Sequence, residues 1–368
     1  MSFLNDELTK RDLPQLLTMN NGAPCIPGTW RKRRLELLDI LSKNLYGYTP
    51  KAPDSVTGEI IKVDNDAFAG KVVQKTINLK FETPKGEFSF PFYLMLPKNV
   101  ENPSVFLHIA FEPDIPEKYM PVEEITDNGY AIAMFCYNDV VKDSHDGYYG
   151  QGLAAMYSSG EDRKPDEWGR IGMWAFAASR IMDYLWNCGE VNRYRVAVAG
   201  HSRLGKTALW TAAQDERFYM AISNNSGFAG AGIAKRGTGE RVADFIRVGS
   251  WDWFCETFKT YFGKEDDNNV YEQHMLLAAI APRRICVGSA QLDRVADPKS
   301  EFLSCVSASE VYELLGHYGL VTPDEYPSPP TALFEGKIGY HIREGNHYFS
   351  RTDWLRYMEF LNKKMSIS

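Results

Sequence analysis

From about residue 105 onward, short apolar runs alternate with amphipathic helical patterns. The apolar runs SVFLHIAF, YAIAMFCYN and YRVAVAG have the length of buried strands, and WGRIGMWAFAASRIMDYLWN and GKTALWTAAQD have helical periodicity. Two further short strands, AISNNSG and RRICVGSA, and a late strand, KIGYHIR, precede a closing helix, DWLRYMEFLNKKM. This alternation predicts an α/β fold with a mostly parallel sheet and helices on both faces.

The beginning of the chain has a different pattern. Residues 1–50 predict an irregular and helical lead-in whose one amphipathic helix is WRKRRLELLDILSKNLYG. Residues 55–111 alternate polar and apolar positions, which predicts antiparallel strands leading into the buried sheet. Since no repeat or low-complexity linker interrupts the sequence, we expect a single domain over residues 51–368. Its long loop insertions are expected at about 112–165 and 228–270.

The stretch YRVAVAGHSRLGKTALW contains the most informative serine. Ser202 lies at a sharp turn between a buried strand that ends at Gly200 and a helix expected to begin near Leu204 or Gly205. A serine at such a turn lies exposed at the carboxyl edge of the sheet, next to helix N–H groups that can stabilise an oxyanion. The segment departs from G-x-S-x-G, because its second glycine comes one place late. The alternative is that Ser202 is an ordinary helix N-cap.

A serine nucleophile needs a histidine base and a carboxylate, which follow in the order Ser, acid, His in the α/β-hydrolase fold. Asp293 and Asp297 follow the strand RRICVGSA, and Asp293, the closer of the two, is the predicted acid. His347 lies in the loop after KIGYHIR and is the predicted base. The sequence therefore predicts an α/β-hydrolase fold in which Ser202, Asp293 and His347 act together.

Other histidines are predicted to have supporting roles. His341 lies within a predicted strand, and His201 is expected to point away from the neighbouring serine because of the turn geometry. His274 begins an apolar helix and is assigned mainly to packing.

Composition narrows the choice of partners. A formal net charge of -7 provides no basic excess to replace the counterions of a nucleic acid. No run of about eighteen apolar residues predicts a transmembrane helix, and no pair of the six cysteines has the spacing of a zinc or iron–sulfur site. We expect mostly free thiols, no metal and no cofactor. The amino terminus has no apolar secretion signal, which predicts a cytoplasmic protein, whereas a trimmed mature form would be secreted or periplasmic.

Four segments together resemble carbohydrate esterase family 15: GHSRLGKTALWTAAQDERF, AISNNSG, WFCETFKTYFG and QHMLLAAIAPRRICVGSAQLDRVADPKSEFLS. The resemblance extends from about residue 168 to the carboxyl terminus. That family contains the glucuronoyl esterases, which hydrolyse esters between 4-O-methyl-glucuronic acid on xylan and alcohols of lignin. The resemblance thus implies a serine carboxylic-ester hydrolase that acts on a carbohydrate ester.

The resemblance also implies residue roles. Arg203 matches an arginine that helps hold the oxyanion, and Lys206 matches a lysine that contacts sugar hydroxyls. Glu240 and Trp253 match positions that line the sugar site, where a tryptophan would stack on a pyranose face. The alternative is that Arg203 and Lys206 are solvated charges, although cations are disfavoured in the first turn of a helix.

The sequence departs from the family pattern in two places. Phe228 stands where many members have a glutamate that serves as an alternative acid, which leaves the acid role to Asp293. Val295 stands where bacterial members often have a tryptophan, and losing such an aromatic platform removes roughly 1 kcal/mol of binding. Three alternatives to a glucuronoyl esterase stay open: an acetyl xylan esterase or other carbohydrate deacetylase, an inactive carbohydrate-binding homologue and, third, a peptidase.

Overall fold

The centre of the molecule is a ten-stranded sheet in the order β1-β2-β3-β5-β4-β6-β7-β8-β10-β9. The computed structural model describes residues 2–146, 149–264 and 269–363. The strands are β1 (Val56–Asp66), β2 (Val72–Thr83), β3 (Gly86–Pro97), β4 (Val105–Ala110), β5 (Ala131–Cys136), β6 (Val196–His201), β7 (Met220–Asn224), β8 (Arg284–Ala290), β9 (Thr331–Leu333) and β10 (Ile338–Arg343).

The sheet has an antiparallel and a parallel part. Strands β1, β2, β3 and β5 pair antiparallel, as the alternating sequence pattern predicts. Strands β5, β4, β6, β7, β8 and β10 pair parallel. The carboxyl ends of β6, β7, β8 and β10 therefore meet at one edge, and the loops that follow these strands lie side by side. This confirms the predicted α/β-hydrolase fold.

Helices cover both faces of the sheet. They are α1 (Phe3–Arg11), α2 (Trp30–Leu41), α3 (Ala67–Gly70), α4 (Val122–Asp127), α5 (Tyr137–Val140), α6 (Gly152–Tyr157), α7 (Arg170–Asn187), α8 (Arg203–Gln214), α9 (Val242–Arg247), α10 (Gln273–Ala278), α11 (Pro298–Leu314) and α12 (Arg351–Asn362). A π-helical turn, Ser42–Tyr46, extends α2, and 3-10 turns lie at Pro27–Thr29, Gly160–Asp162, Ser250–Trp253 and Glu256–Tyr261.

Successive residues of the central strands enter different hydrophobic cores. Leu107 and Val198 belong to the larger core, which includes the apolar faces of α7, α8 and α11. Their neighbours Phe106 and Ala197 belong to the smaller core, which contains Trp354 of α12. This alternation arises because adjacent side chains of a strand point to opposite faces, and it explains why these strands are apolar throughout.

The structure differs from the sequence predictions at several elements. The lead-in contains a second helix, α1, and the long helix α11 and the short edge strand β9 were not predicted. The predicted loop insertion at 112–165 is wrong in part, because it includes β5, a strand between β3 and β4 in the sheet, besides α4, α5, α6 and a 3-10 turn. The predicted insertion at 228–270 contains α9 and two 3-10 turns. Parts of these insertions, 147–148 and 265–268, and the end of the predicted closing helix from residue 364 lie outside the described residues.

Within the described ranges, no helix combines the length and apolarity needed to cross a membrane. The six cysteines are free thiols, and Cys188 is the one that is partly exposed.

Candidate active site

Ser202 lies between the end of β6 and the first residue of α8. Its backbone is strained, with φ 56° and ψ -126°, a conformation that costs a non-glycine residue about 1–3 kcal/mol. Although Ser202 occupies the N-cap position, its side chain makes no capping hydrogen bond to the helix. An ordinary N-cap serine has extended backbone angles and makes such a bond, so the capping alternative does not describe this residue.

Two glycines permit this turn. A Cβ atom at Gly200 would lie 2.1 Å from the carbonyl oxygen of Leu204, so no other residue fits there without moving the backbone. At Gly205, a Cβ atom would lie 3.1 Å from both the Gly200 carbonyl oxygen and the Ser226 Cβ atom. The glycine that comes one place late in the motif thus lies where α8 packs closely against β6 and against the loop after β7.

Asp293 and His347 are directly hydrogen bonded, with 2.6 Å between His347 Nδ1 and Asp293 Oδ2. The buried carboxylate also accepts hydrogen bonds from Asn225 Nδ2 at 2.7 Å and the Ala296 N–H at 3.1 Å. Burial by itself would raise the pKa of Asp293, but the imidazole and these donors hold the pKa below its usual value. An ionised carboxylate at Nδ1 leaves Nε2 of His347 as the nitrogen that can accept a proton.

The ring of His201, the residue before the serine, packs against the ring of His347, with 4.5 Å between centroids. This contact places the Ser202 turn beside the imidazole. His201 Nδ1 is 2.8 Å from Asn224 Oδ1, and burial, followed by the charge of His347, lowers the pKa of His201 to about 3. His201 is therefore a neutral neighbour of His347, turned toward the site rather than away from it.

Arg343 and Asp353 hold the loop that carries His347, and neither was predicted as a site residue. The buried Arg343 guanidinium donates to the carbonyls of Glu344 at 2.9 Å and Asn346 at 3.3 Å, and to that of Tyr348. Its Nε donates to Asp353 Oδ2 at 2.8 Å. The capping box between Ser350 and Asp353 was the one sequence signal of this arrangement.

The structural role predicted for His341 agrees with its surroundings, because it is buried and its Nε2 lies 2.8 Å from Asp353 Oδ1. His274 is also buried and bonds to the Pro14 carbonyl at 2.8 Å, which ties α10 to the amino-terminal segment.

Lys206 and Glu240 form an ion pair of 2.7 Å beneath the first turn of α8. The buried ammonium also donates to the carbonyls of Ser226 at 2.6 Å and Phe228 at 2.7 Å. The alternative of a solvated surface charge is excluded for Lys206, whose side chain is 2% exposed. Phe228 packs against Phe245 and Phe258. Its surroundings are therefore aromatic, unlike the polar surroundings expected of an alternative acid.

Arg203 is paired with the carboxylate of Asp143 and lies over the ring of Trp253, 4.6 Å from its centroid. Trp253 is only 7% exposed, and Phe245 packs against it. The expected stacking of a sugar on the face of this tryptophan is therefore not supported, because Arg203 occupies that face.

A cavity of about 410 Å³ lies next to this group of residues. It is lined by Thr238, Gly239, Glu240, Asp244, Phe245, Val248, Ser250, Trp253, Arg294 and Val295. Arg294 and Phe245 were not predicted as site residues. The cavity combines apolar walls with a few charged groups, which is typical of small-molecule sites.

Among the described residues, the donor atoms of Asp143, His145 and Asp252 lie within 4.8 Å of one another, close enough to suggest a metal site. Both carboxylates, however, are paired with arginines, Asp143 with Arg203 and Asp252 with Arg170 at 3.2 Å. Guanidinium groups already supply the positive charge that a metal would bring, so this group of side chains does not form a metal centre.

The fold, the strained serine turn and the hydrogen-bonded acid–histidine pair define a hydrolase of the α/β-hydrolase class. The family model described as glucuronyl esterase, fungi, matches residues 82–316. A carbohydrate esterase from an unknown prokaryotic organism is 32% identical, covering 98% of this chain and 91% of the relative. The 4-O-methyl-glucuronoyl methylesterase of Schizophyllum commune is 27% identical, covering 83% of this chain and 74% of the relative. The solved glucuronoyl esterase of Solibacter usitatus superposes with a TM-score of 0.86 at 31% identity, covering 95% of this chain and 96% of that one.

The chain belongs to the glucuronoyl esterase family, carbohydrate esterase family 15, and is a carboxylic ester hydrolase.

Proposed function

We propose that the protein hydrolyses esters of glucuronic acid, in particular 4-O-methyl-glucuronoyl esters of glucuronoxylan, with Ser202 as the nucleophile. The observation that carries this proposal is the 2.6 Å hydrogen bond between His347 and Asp293, formed beside the turn of Ser202. It is the arrangement that a serine hydroxyl requires to become nucleophilic at neutral pH.

His347 Nε2 removes the proton of Ser202 as the hydroxyl attacks the ester carbonyl, and Asp293 stabilises the imidazolium through Nδ1. The first N–H groups of α8 have no partner within the helix, and together with Arg203 they stabilise the oxyanion. His347 then protonates the leaving alcohol. A water molecule, activated by the same imidazole, releases the sugar acid from the acyl-enzyme.

Arg294 is the cation among the residues that line the cavity, and it can pair with the carboxyl group of an acidic sugar. Glu240, on the cavity wall, offers a carboxylate to sugar hydroxyls, and the buried Lys206 holds that carboxylate in place. The ring of Trp253 packs against the Arg203 guanidinium rather than stacking on the substrate. The names of relatives point the same way, since the Schizophyllum commune protein is a 4-O-methyl-glucuronoyl methylesterase.

We further propose that residues 51–368 form one catalytic domain, with residues 1–50 packed onto it. Arg34 of α2 donates to the carbonyls of Ala213 at 2.6 Å and Ala279 at 2.7 Å. Arg11 of α1 donates to the carbonyl of Lys235 at 2.9 Å. These buried arginines attach the lead-in to three separate segments of the domain.

The test is hydrolysis of benzyl glucuronate by the wild type and by Ser202→Ala, followed as release of benzyl alcohol. The wild type is expected to turn over, and the variant is expected to lose about 10⁶-fold in kcat, as removal of a serine nucleophile does elsewhere. Ser307→Ala, on the partly exposed side of α11, is the matched control and should behave as the wild type.

Near-parental turnover by Ser202→Ala would reject the assigned nucleophile. Release of acetate from acetylated xylan, without any release of alcohol from the glucuronate ester, would reject the proposed substrate. Binding of the glucuronate ester by the wild type without hydrolysis would show a carbohydrate-binding protein instead.

A further inference from the structure

Asp143, on the loop after α5, has a buried carboxylate that contacts both Arg203, the residue proposed to stabilise the oxyanion, and Trp253. Asp143 pairs with the Arg203 guanidinium through Oδ2, and its Oδ1 accepts a hydrogen bond of 2.7 Å from Trp253 Nε1. The side chain of Asp143 is 3% exposed. One carboxylate thus binds both members of the stacked Arg203–Trp253 pair.

Hydrogen bonds from α7 fix the segment around Asp143. Arg170, fully buried at the start of α7, donates to the Lys142 carbonyl at 2.8 Å and to Ser144 Oγ at 3.0 Å. Trp174 Nε1 donates to the Val141 carbonyl at 3.1 Å. Because the chain is anchored on both sides of Asp143, the carboxylate has a defined position and can define the position of what it binds.

Arg203 needs such a partner. A guanidinium on a long side chain has several rotamers, and a carboxylate acceptor combined with an aromatic face selects one of them. Apart from Trp253, the ring of Phe111 lies 5.6 Å from the guanidinium and bounds it on another side. The carboxylate is the one charged group in this environment that pairs with Arg203 among the described residues.

We propose that Asp143 is a positioning residue for the reaction, which orients Arg203 against Trp253 so that the guanidinium is in place when the oxyanion forms. This inference rests on the proposed function, because it assigns the oxyanion contact to Arg203. Asp143 touches neither substrate nor His347, and it acts through Arg203.

The experiment is a double-mutant cycle of Asp143→Asn and Arg203→Met, measured as kcat and KM on benzyl glucuronate. Asp143→Asn keeps the volume and an acceptor oxygen but removes the charge. We expect kcat to fall by roughly 10- to 100-fold, somewhat less than the loss of an oxyanion donor itself, with KM nearly unchanged. In the Arg203→Met background the same change should cost almost nothing more, because the two residues act as one unit.

Asp139→Asn is the matched control, since Asp139 lies four residues earlier on an exposed part of the same segment. A second measurement does not depend on turnover. The indole N–H resonance of Trp253, assigned by its loss in Trp253→Phe, should shift in Asp143→Asn and stay in place in Asp139→Asn. If Asp143→Asn does not fold, Asp143→Ser replaces it in a second cycle with Arg203→Met, and losses smaller than their sum are expected.

Full wild-type kcat in folded Asp143→Asn, or additive losses in either cycle, would overturn the inference. Failure of the proposed substrate is a separate result, because the wild type itself would then not hydrolyse benzyl glucuronate. In that case the same double-mutant cycle, measured on p-nitrophenyl acetate, should still show the coupling between Asp143 and Arg203. An unshifted indole resonance of Trp253 in Asp143→Asn would contradict the positioning role of Asp143.

Discussion

Replacing Asp293 with asparagine removes the charge at Nδ1 of His347 while changing almost no volume. The carboxylate makes three contacts: Oδ2 accepts from His347 and Asn225, and Oδ1 accepts from the Ala296 N–H. An asparagine amide has one acceptor, so it cannot reproduce all three. With its oxygen toward His347, its NH₂ group meets the Ala296 N–H, donor against donor. With its NH₂ group toward His347, the imidazole must carry its proton on Nε2, where it cannot accept one from serine.

Both orientations also lose the negative charge that stabilises the imidazolium. We therefore expect kcat to fall by about 10³- to 10⁴-fold, or about 4 to 5.5 kcal/mol at 1.36 kcal/mol per factor of ten. The lower value corresponds to the first orientation, which keeps the useful tautomer. Because the substitution is nearly isosteric, the melting temperature should change far less than the rate.

The assay is the initial rate of alcohol release from benzyl glucuronate, with the fold checked by circular dichroism. Asp297→Asn is the matched control, because Asp297 lies on the same loop but binds the Thr238 N–H at 2.7 Å and Ser300 Oγ at 2.6 Å rather than a histidine. Asp297→Asn should lose stability but keep its kcat. If Asp293→Asn kept most of the wild-type kcat, or if Asp297→Asn lost as much, the acid would be misassigned.

Two further predictions concern the loop that carries His347. Arg343→Met should lower kcat by about 10- to 100-fold without raising KM, since releasing the carbonyls on both sides of His347 displaces the imidazole by a fraction of an ångström or more. The surface control Arg356→Met should leave kcat unchanged. An unchanged kcat in Arg343→Met would contradict the prediction. The second prediction concerns Asp353, whose pKa His341 and Arg343 lower to about 2 from 3.8 against the opposing effect of burial. Its ionised form therefore contributes about 2 kcal/mol of stability that is present above pH ~4 and lost as the pH falls toward 2. Urea unfolding should show that Asp353→Asn costs more at pH 7 than at pH 2.5, and an equal cost at both would be inconsistent with the linkage.

Helix α11 shows why part of the fold was not predictable from periodicity. Its buried side includes Ser300, Glu301 and Ser304, so polar residues interrupt the apolar stripe by which such a helix is recognised. Glu301 is buried because it serves the site: its carboxylate accepts the N–H groups of Ser226 at 2.8 Å and Gly227 at 3.0 Å. A helix that binds a loop through polar groups has no amphipathic signal.

The short strand β9 was missed for another reason. Its three residues, Thr331–Leu333, are only partly buried and pair with the edge of β10. A strand of three residues forms because the edge of β10 is available for pairing. The three residues themselves carry no signal that indicates this partner.

The sequence alone predicted most of the central strands, several helices and where reactive groups occur along the chain. Apolar runs, helical periodicity and turn residues are local signals, and they predicted the strand before Ser202 and the loops of Asp293 and His347. It could not distinguish Asp293 from Asp297 by more than distance from a strand end, nor indicate that Asp143 would reach Trp253 across 110 positions. Those contacts depend on distances of about 3 Å between side chains remote in sequence. Such distances are set only when parallel strands bring their carboxyl ends to one edge and buried arginines hold the loops between them.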